Sequence, residues 1–234
     1  MTYAEKIAEK LATVAEGQQA VYDKGCADGA KSEYDAFWDA FQENGNRKDY
    51  RYAFYCGFWD ITSFKPKYDI VPTDATSLFQ NNGNTFDLAE HLKNCGVNLD
   101  LSNCTGISYA FYTAGFTRLP VINLTSVANL TRAFGSSSYL KTIDKVILKS
   151  DGSQGLRNGF DYLGALENIT FEGMIGDSLD LHWSTKLTHD SLMSIINALK
   201  SGVSGLTCTL GTENLAKLTD AEKAIATEKG WTLA

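Results

Sequence analysis

The sequence predicts an α/β solenoid, a ladder of short parallel strands held between a helical N-terminal cap and a helical C-terminal cap. Three observations predict it. An alternating three-residue core recurs as Leu99/Asp100/Leu101, Ile122/Asn123/Leu124, Val146/Ile147/Leu148 and Ile169/Thr170/Phe171, which is the pattern of a half-buried strand. The last residues of these cores, Leu101, Leu124, Leu148 and Phe171, follow one another at steps of 23, 24 and 23 residues. An aromatic stands ahead of each core, at Phe86, Phe111, Phe134 and Phe160, and leucines at Leu119, Leu140 and Leu166 lie between aromatic and strand. A unit of this length with one strand cannot bury its apolar side alone, so its neighbours must stack on it. Leu101, Leu124, Leu148 and Phe171 are then expected to form one column.

The elements follow in order. Ile7, Leu11, Val14, Gln18 and Val21 are spaced by 4, 3, 4 and 3 residues, which predicts a helix over 3–24 carrying a short heptad seam with one polar layer. Such a seam offers a surface for homo-oligomer formation, or for packing on the chain's own second helix. That helix is expected from Ser32, with Tyr34, Phe37, Trp38 and Phe41 on one face. Ten of the 27 aromatics fall between Tyr34 and Trp59, a concentration that suits a plug over the open end of the stack, with a sugar-stacking surface as the alternative. Pro66 and Pro72 and a run of turn formers lead into the repeats. Beyond them, Leu179 to Leu181 predicts a short strand. Leu192, Ile195, Ile196 and Leu199 share one face of a helix capped by Thr188, the segment from Leu206 predicts a last strand, and Thr219 with Glu222 forms a capping box for a helix stopped at Gly230. The expected organisation is 1–74 as an N-terminal helical, aromatic-rich region, 75–186 as repeats and 187–234 as a C-terminal helical cap.

Bulk composition narrows the function. With 21 Lys and Arg against 28 Asp and Glu the formal net charge is −7, and no basic cluster exists to hold phosphates, so nucleic acid is not an expected partner. No membrane span is expected, because no stretch approaches the roughly 18 apolar residues it needs, and the N-terminus has no secretory apolar core. Five dispersed cysteines, Cys26, Cys56, Cys95, Cys104 and Cys208, lack zinc or redox spacing and read as buried thiols. A Cys95–Cys104 bridge is the alternative.

The segments "YAF", "RAF" and "NGF", each followed by a leucine and an alternating strand, resemble the repeats of BspA-like leucine-rich repeat proteins. The run from Ser184 to Ala234 is similar to the end of many such proteins from gut bacteria and their prophages, and the aromatic front resembles the prophage-encoded type. The resemblance implies a leucine-rich-repeat-like ladder and a part in surface recognition or virion structure, with no catalytic residues. It further implies a prophage-encoded tail or virion-associated protein, with a bacterial surface adhesin as the alternative. Such a chain is expected in virions or outside the cell after lysis, otherwise in the cytoplasm, with a protein or a cell-surface glycan as partner.

The search for chemistry yields little. His91, His182 and His189 are the three histidines, and the densest polar cluster runs from Asp177 to Asp190. A hydrolase built on Ser184, His189 and Asp190 is the enzymatic alternative, but adjacent residues do not converge as a relay requires. No cofactor or metal is expected, since no glycine-rich phosphate loop and no metal-ligand spacing is found. The expected binding face is therefore the outward side of the strands, with Asp100, Asn123, Ile147, Thr170 and Asp180 at its centre, flanked by Ser102, Thr125, Lys149, Glu172 and His182.

Overall fold

A computed structural model describes Tyr50, Arg51, Ala53, Phe54, Pro66, 68–156 and 158–234. The helices expected at 3–24 and from Ser32, the self-association surface and most of the aromatic front lie outside the described residues. Ten short elements follow: α1 Leu88–Cys95, β1 Arg118–Asn123, β2 Thr142–Ile147, β3 Asn168–Glu172, β4 Leu179–Asp180, α2 His189–Ala198, β5 Leu206–Thr209, α3 Thr212–Leu215, α4 Asp220–Glu228 and β6 Trp231–Leu233. All strand pairs are parallel, in two sheets ordered β1-β2-β3 and β4-β5-β6.

This small α/β arrangement corrects the expected solenoid. The leucine-rich-repeat-like ladder does not run unbroken between caps, because the first sheet stops at β3 and a second begins at β4. The stop has a local cause. Helix α2 lies against β3, and the N–H groups of Ile169 and Phe171, which a further strand would accept, donate instead to the hydroxyls of Ser191 and Ser194, each at 2.9 Å. Three residues apart on a helix, these two hydroxyls share one face. The sheet edge is thus satisfied by side chains, and buried N–H groups left unpaired are avoided.

The single column of core residues also needs correction. Asn123 pairs with Ile147, which sets Leu124 level with Leu148, but β3 is displaced along β2 from its first pair, Thr142 with Asn168, so Phe171 stands opposite Val146. All four expected column residues are nevertheless buried. Leu99 makes only an isolated bridge to Ile70 rather than a strand.

The column that does run through the described chain is aromatic. Phe54, Phe79, Phe111, Phe134 and Phe160 stack in succession with ring centroids 4.8, 5.5, 5.3 and 5.0 Å apart, and Phe171 closes the series edge-on at 5.6 Å. The backbone fixes this register. Phe54, Phe79, Phe111 and Phe134 each donate their N–H to the carbonyl of the residue just before the next phenylalanine, namely Leu78, Ala110, Ala133 and Gly159. Around the last four phenylalanines the chain bends through paired left-handed residues two positions either side: Ser77 and Asn81, Tyr109 and Thr113, Arg132 and Ser136, Asn158 and Tyr162. Side chains rarely adopt that conformation, so eight non-glycine cases in four matching pairs mark one turn used four times. Phe86 is no member of the column; it meets Phe116 edge-on and is only half-buried.

The C-terminal elements carry their own signals. Thr188 accepts the N–H of Ser191 at the start of α2, and Thr219 and Glu222 form the reciprocal capping box of α4. Lys229 then reaches back with its ammonium to the carbonyls of Ile196 and Asn197 at the end of α2, at 2.9 and 2.7 Å, where the helix leaves acceptors unpaired. Gly230 follows at φ +94°, and a Cβ there would stand 1.9 Å from the Val203 carbonyl oxygen, so only glycine lets the chain enter β6.

Candidate functional site

Six of the ten expected face residues turn out to be three local pairs. The Asp100 carboxylate accepts the N–H of Ser102 at 2.9 Å, the Asn123 side-chain oxygen accepts the N–H and hydroxyl of Thr125 at 3.1 and 2.8 Å, and the Asp180 carboxylate accepts the N–H of His182 at 3.0 Å. Such turns end a strand by giving its next N–H a side-chain acceptor. Ile147 stands in one row with Asn123 and Glu172, so the register of β3 on β2 leaves Thr170 out of the row it was expected to share. Lys149 donates its N–H to the buried Gln154 at 2.7 Å, and Gln154 donates in turn to the carbonyls of Leu124 and Val127. Glu172 pairs with Lys145 at 2.9 Å. Thr170 is exposed, and Asp180 and His182 belong to the second sheet and its margin.

The Asp177 to Asp190 cluster does not converge. Asp177 is occupied by the N–H groups of Leu156 and Ser178. His189 turns to Glu222 at 2.8 Å, across to α4, and lies 3.9 Å from the fully exposed Asp190. The Ser184 hydroxyl is buried without a hydrogen-bond partner, so no base reaches it. Thr219, and then His189, hold the Glu222 carboxyl below its usual range.

Beside Asp180 and His182, however, lies a feature that hydrophobic patterning did not signal. Trp183 is 50% exposed and Tyr162 is 56% exposed, yet their rings stack at 5.4 Å with planes 22° apart. The His182 imidazole sits 4.5 Å from the Trp183 ring. Asp180 holds that imidazole by a second bond, Oδ1 to Nδ1 at 2.6 Å. A carboxylate only accepts, so Nδ1 carries the proton and Nε2 faces away from Asp180. Asp161, next to Tyr162, has its carboxyl pushed up by burial and by Asp180, opposed by Arg132 and His182. These groups therefore share one electrostatic neighbourhood.

The turn geometry explains the placement. Tyr162 is the second left-handed residue after Phe160, which throws its side chain outward while Phe160 enters the column. The same position in the preceding unit is Ser136, whose N–H donates to the Asp161 carbonyl at 2.8 Å. Gly164 leaves open space near the Trp183 carbonyl, the nearest atom to its absent Cβ being 3.9 Å away. Two large rings thus stand over a step built from small residues. Of the residues two positions beyond these phenylalanines, Asn81, Thr113, Ser136 and Tyr162, only Tyr162 is aromatic, so no recurrence in the sequence marked it or Trp183 as displayed.

Among the described residues, Cys104 and Cys208 are buried free thiols, so the Cys95–Cys104 bridge does not form. Cys104 instead donates its thiol hydrogen to the Gly106 carbonyl at 3.0 Å. Also among the described residues, no helix is long and apolar enough to cross a membrane, and no three His, Cys, Asp or Glu side chains are grouped to hold a metal ion. No family model matches the chain, and no curated protein or solved structure matches it either.

Proposed function

We propose that the chain is a non-enzymatic recognition module, a prophage-encoded tail or virion-associated protein that reads a bacterial surface through Tyr162, Trp183 and the polar groups beside them. The observation that carries this reading is the exposed aromatic pair. Large rings stacked in water, in a chain that buries Phe79, Phe111, Phe134 and Phe160 almost completely, make a rigid contact area of low conformational entropy, the kind of anchor that dominates binding energies. The resemblance to prophage-encoded proteins supports the setting, and the scattering of Ser184, His189 and Asp190 to separate partners argues against a hydrolase at that cluster.

The test has two measurements on the full chain. Mass spectrometry of purified, induced phage particles should find the chain in the virion fraction, and labelled protein should bind bacterial envelopes, with binding lost in Trp183→Ala. A chain confined to the surface of uninduced bacteria would replace the virion setting with the adhesin one. Envelope binding that Trp183→Ala leaves intact would overturn the role of this surface.

A further inference from the structure

We infer that the ligand of the Tyr162–Trp183 surface is a neutral glycan, a chain of uncharged hexoses or N-acetylhexosamines, an inference that rests on the recognition reading above. Three observations select this class. The first is the pair itself, two stacked rings at 5.4 Å, each half-exposed. A pyranose ring presents a face of C–H groups that packs on such rings, and its rim of hydroxyls needs hydrogen-bonding groups close by. A peptide anchor instead needs an apolar surround that excludes water.

The second observation is the composition of that surround. The other exposed aromatic side chains of the described surface, Tyr68 and Tyr139, make no ring contact with Tyr162 or Trp183. The neighbours are Asp161, Asp180 and His182. Carboxylates accept from two adjacent sugar hydroxyls at once, and the His182 Nε2, directed away from Asp180, accepts from or donates to a third. This is the donor and acceptor set for hydroxyls rather than for an apolar helix or strand.

The third observation is charge. Asp180 stands close enough to Asp161 to disfavour its ionised form, with Arg132 and His182 opposing it, and the chain carries a formal net charge of −7. A uronic or sialic acid, a phosphorylated polymer or a nucleic acid would bring its own negative charge to that pair, at a cost that a neutral sugar avoids.

The inference is tested by calorimetric titration of the full chain with neutral oligosaccharides (glucan, mannan, galactan and N-acetylglucosamine oligomers) alongside oligogalacturonate as the anionic probe. At least one neutral oligomer should bind, oligogalacturonate should not, and affinity should fall tenfold or more in both Trp183→Ala and Tyr162→Ala but stay within about threefold in Tyr162→Phe, which keeps the ring. Circular dichroism of each variant controls for folding. Absence of binding to every neutral oligomer, or tighter binding of oligogalacturonate, overturns the inference. Envelope binding separates this failure from that of the wider reading. Envelopes bound in a Trp183-dependent manner after periodate has destroyed their sugars would leave recognition standing and the glycan assignment wrong, whereas binding abolished by periodate supports the assignment.

Discussion

Removal of the Phe134 ring strikes the aromatic column at its best-ordered point. Phe134 is fully buried and lies between Phe111, at 5.3 Å and only 4° from parallel, and Phe160 at 5.0 Å and 14°. Phe134→Ala costs the transfer of a whole ring plus the cavity it leaves, about 3–5 kcal/mol in a core that relaxes only partly. The flanking rings are held in place by backbone bonds from Phe111 to Ala133 and from Phe134 to Gly159, so they cannot close the gap, and the loss belongs at the top of that range. Total stability of a domain is typically about 5–15 kcal/mol, so the variant gives up at least about a third of its margin. With a urea m-value of about 2–3 kcal/mol/M the midpoint of unfolding should drop by roughly 1.5–2 M. Phe86→Ala is the matched control, since Phe86 is half-buried and lies outside the column, and should cost about 1–2 kcal/mol on area alone. Equal losses for the two variants, or a Phe134→Ala loss below about 1.5 kcal/mol, would refute the column as the main support of the fold.

Three further outcomes follow from particular contacts. In the double variant Ser191→Ala/Ser194→Ala the N–H groups of Ile169 and Phe171 lose their acceptors, at about 1–3 kcal/mol each; hydrogen exchange should accelerate at these two amides well beyond the rest of β3, and unchanged protection would show that the serines do not close the sheet. Burial pushes the Cys104 thiol up to about 11 and the Cys208 thiol up to about 12, so iodoacetamide at pH 8 should spare both until the protein unfolds; native labelling of Cys104 or Cys208 as fast as in the urea-unfolded chain would contradict that burial. Burial, with Asp180, raises the Asp161 carboxyl from 3.8, so its ionised form costs stability, fully above the folded value and not at all below the unfolded one; Asp161→Asn should therefore raise the melting temperature at pH 7 but not at pH 3, and a gain at pH 3 or a loss at pH 7 would reverse the assignment.

The features legible in the sequence are the ones encoded locally. Phe111, Phe134 and Phe160 declare themselves by recurrence, the strand cores by alternation, and the starts of α2 and α4 by Thr188 and by the Thr219/Glu222 box, since a cap needs only residues three apart. Phe79 was hidden because it stands 32 residues before Phe111, outside the regular step. The end of the first sheet was hidden for a different reason: it depends on Ser191 and Ser194, more than twenty residues beyond the N–H groups they accept, and a serine on a helix does not signal a sheet edge. The register of β3 on β2, which sets Glu172 rather than Thr170 beside Ile147, was hidden because the alternation within each strand does not say which residues of two strands stand level. Asp180 and His182 were singled out as polar residues at a strand's end. Their neighbours Tyr162 and Trp183 were not, because an aromatic in a repeat is ordinarily core, and only the left-handed turn at Tyr162 shows that it points outward.

The indole N–H signals offer the most direct test of recognition through Trp183. Trp231 is buried, with its indole donating to the Lys200 carbonyl at 2.9 Å, whereas Trp183 is half-exposed at the proposed surface, so the two report on opposite situations within one spectrum. Soluble fragments of bacterial envelope added to isotope-labelled full chain should shift or broaden the Trp183 indole signal, identified by its absence in Trp183→Phe, and leave that of Trp231 in place. Saturating fragments that leave the Trp183 signal unmoved, while other residues respond, would contradict the account.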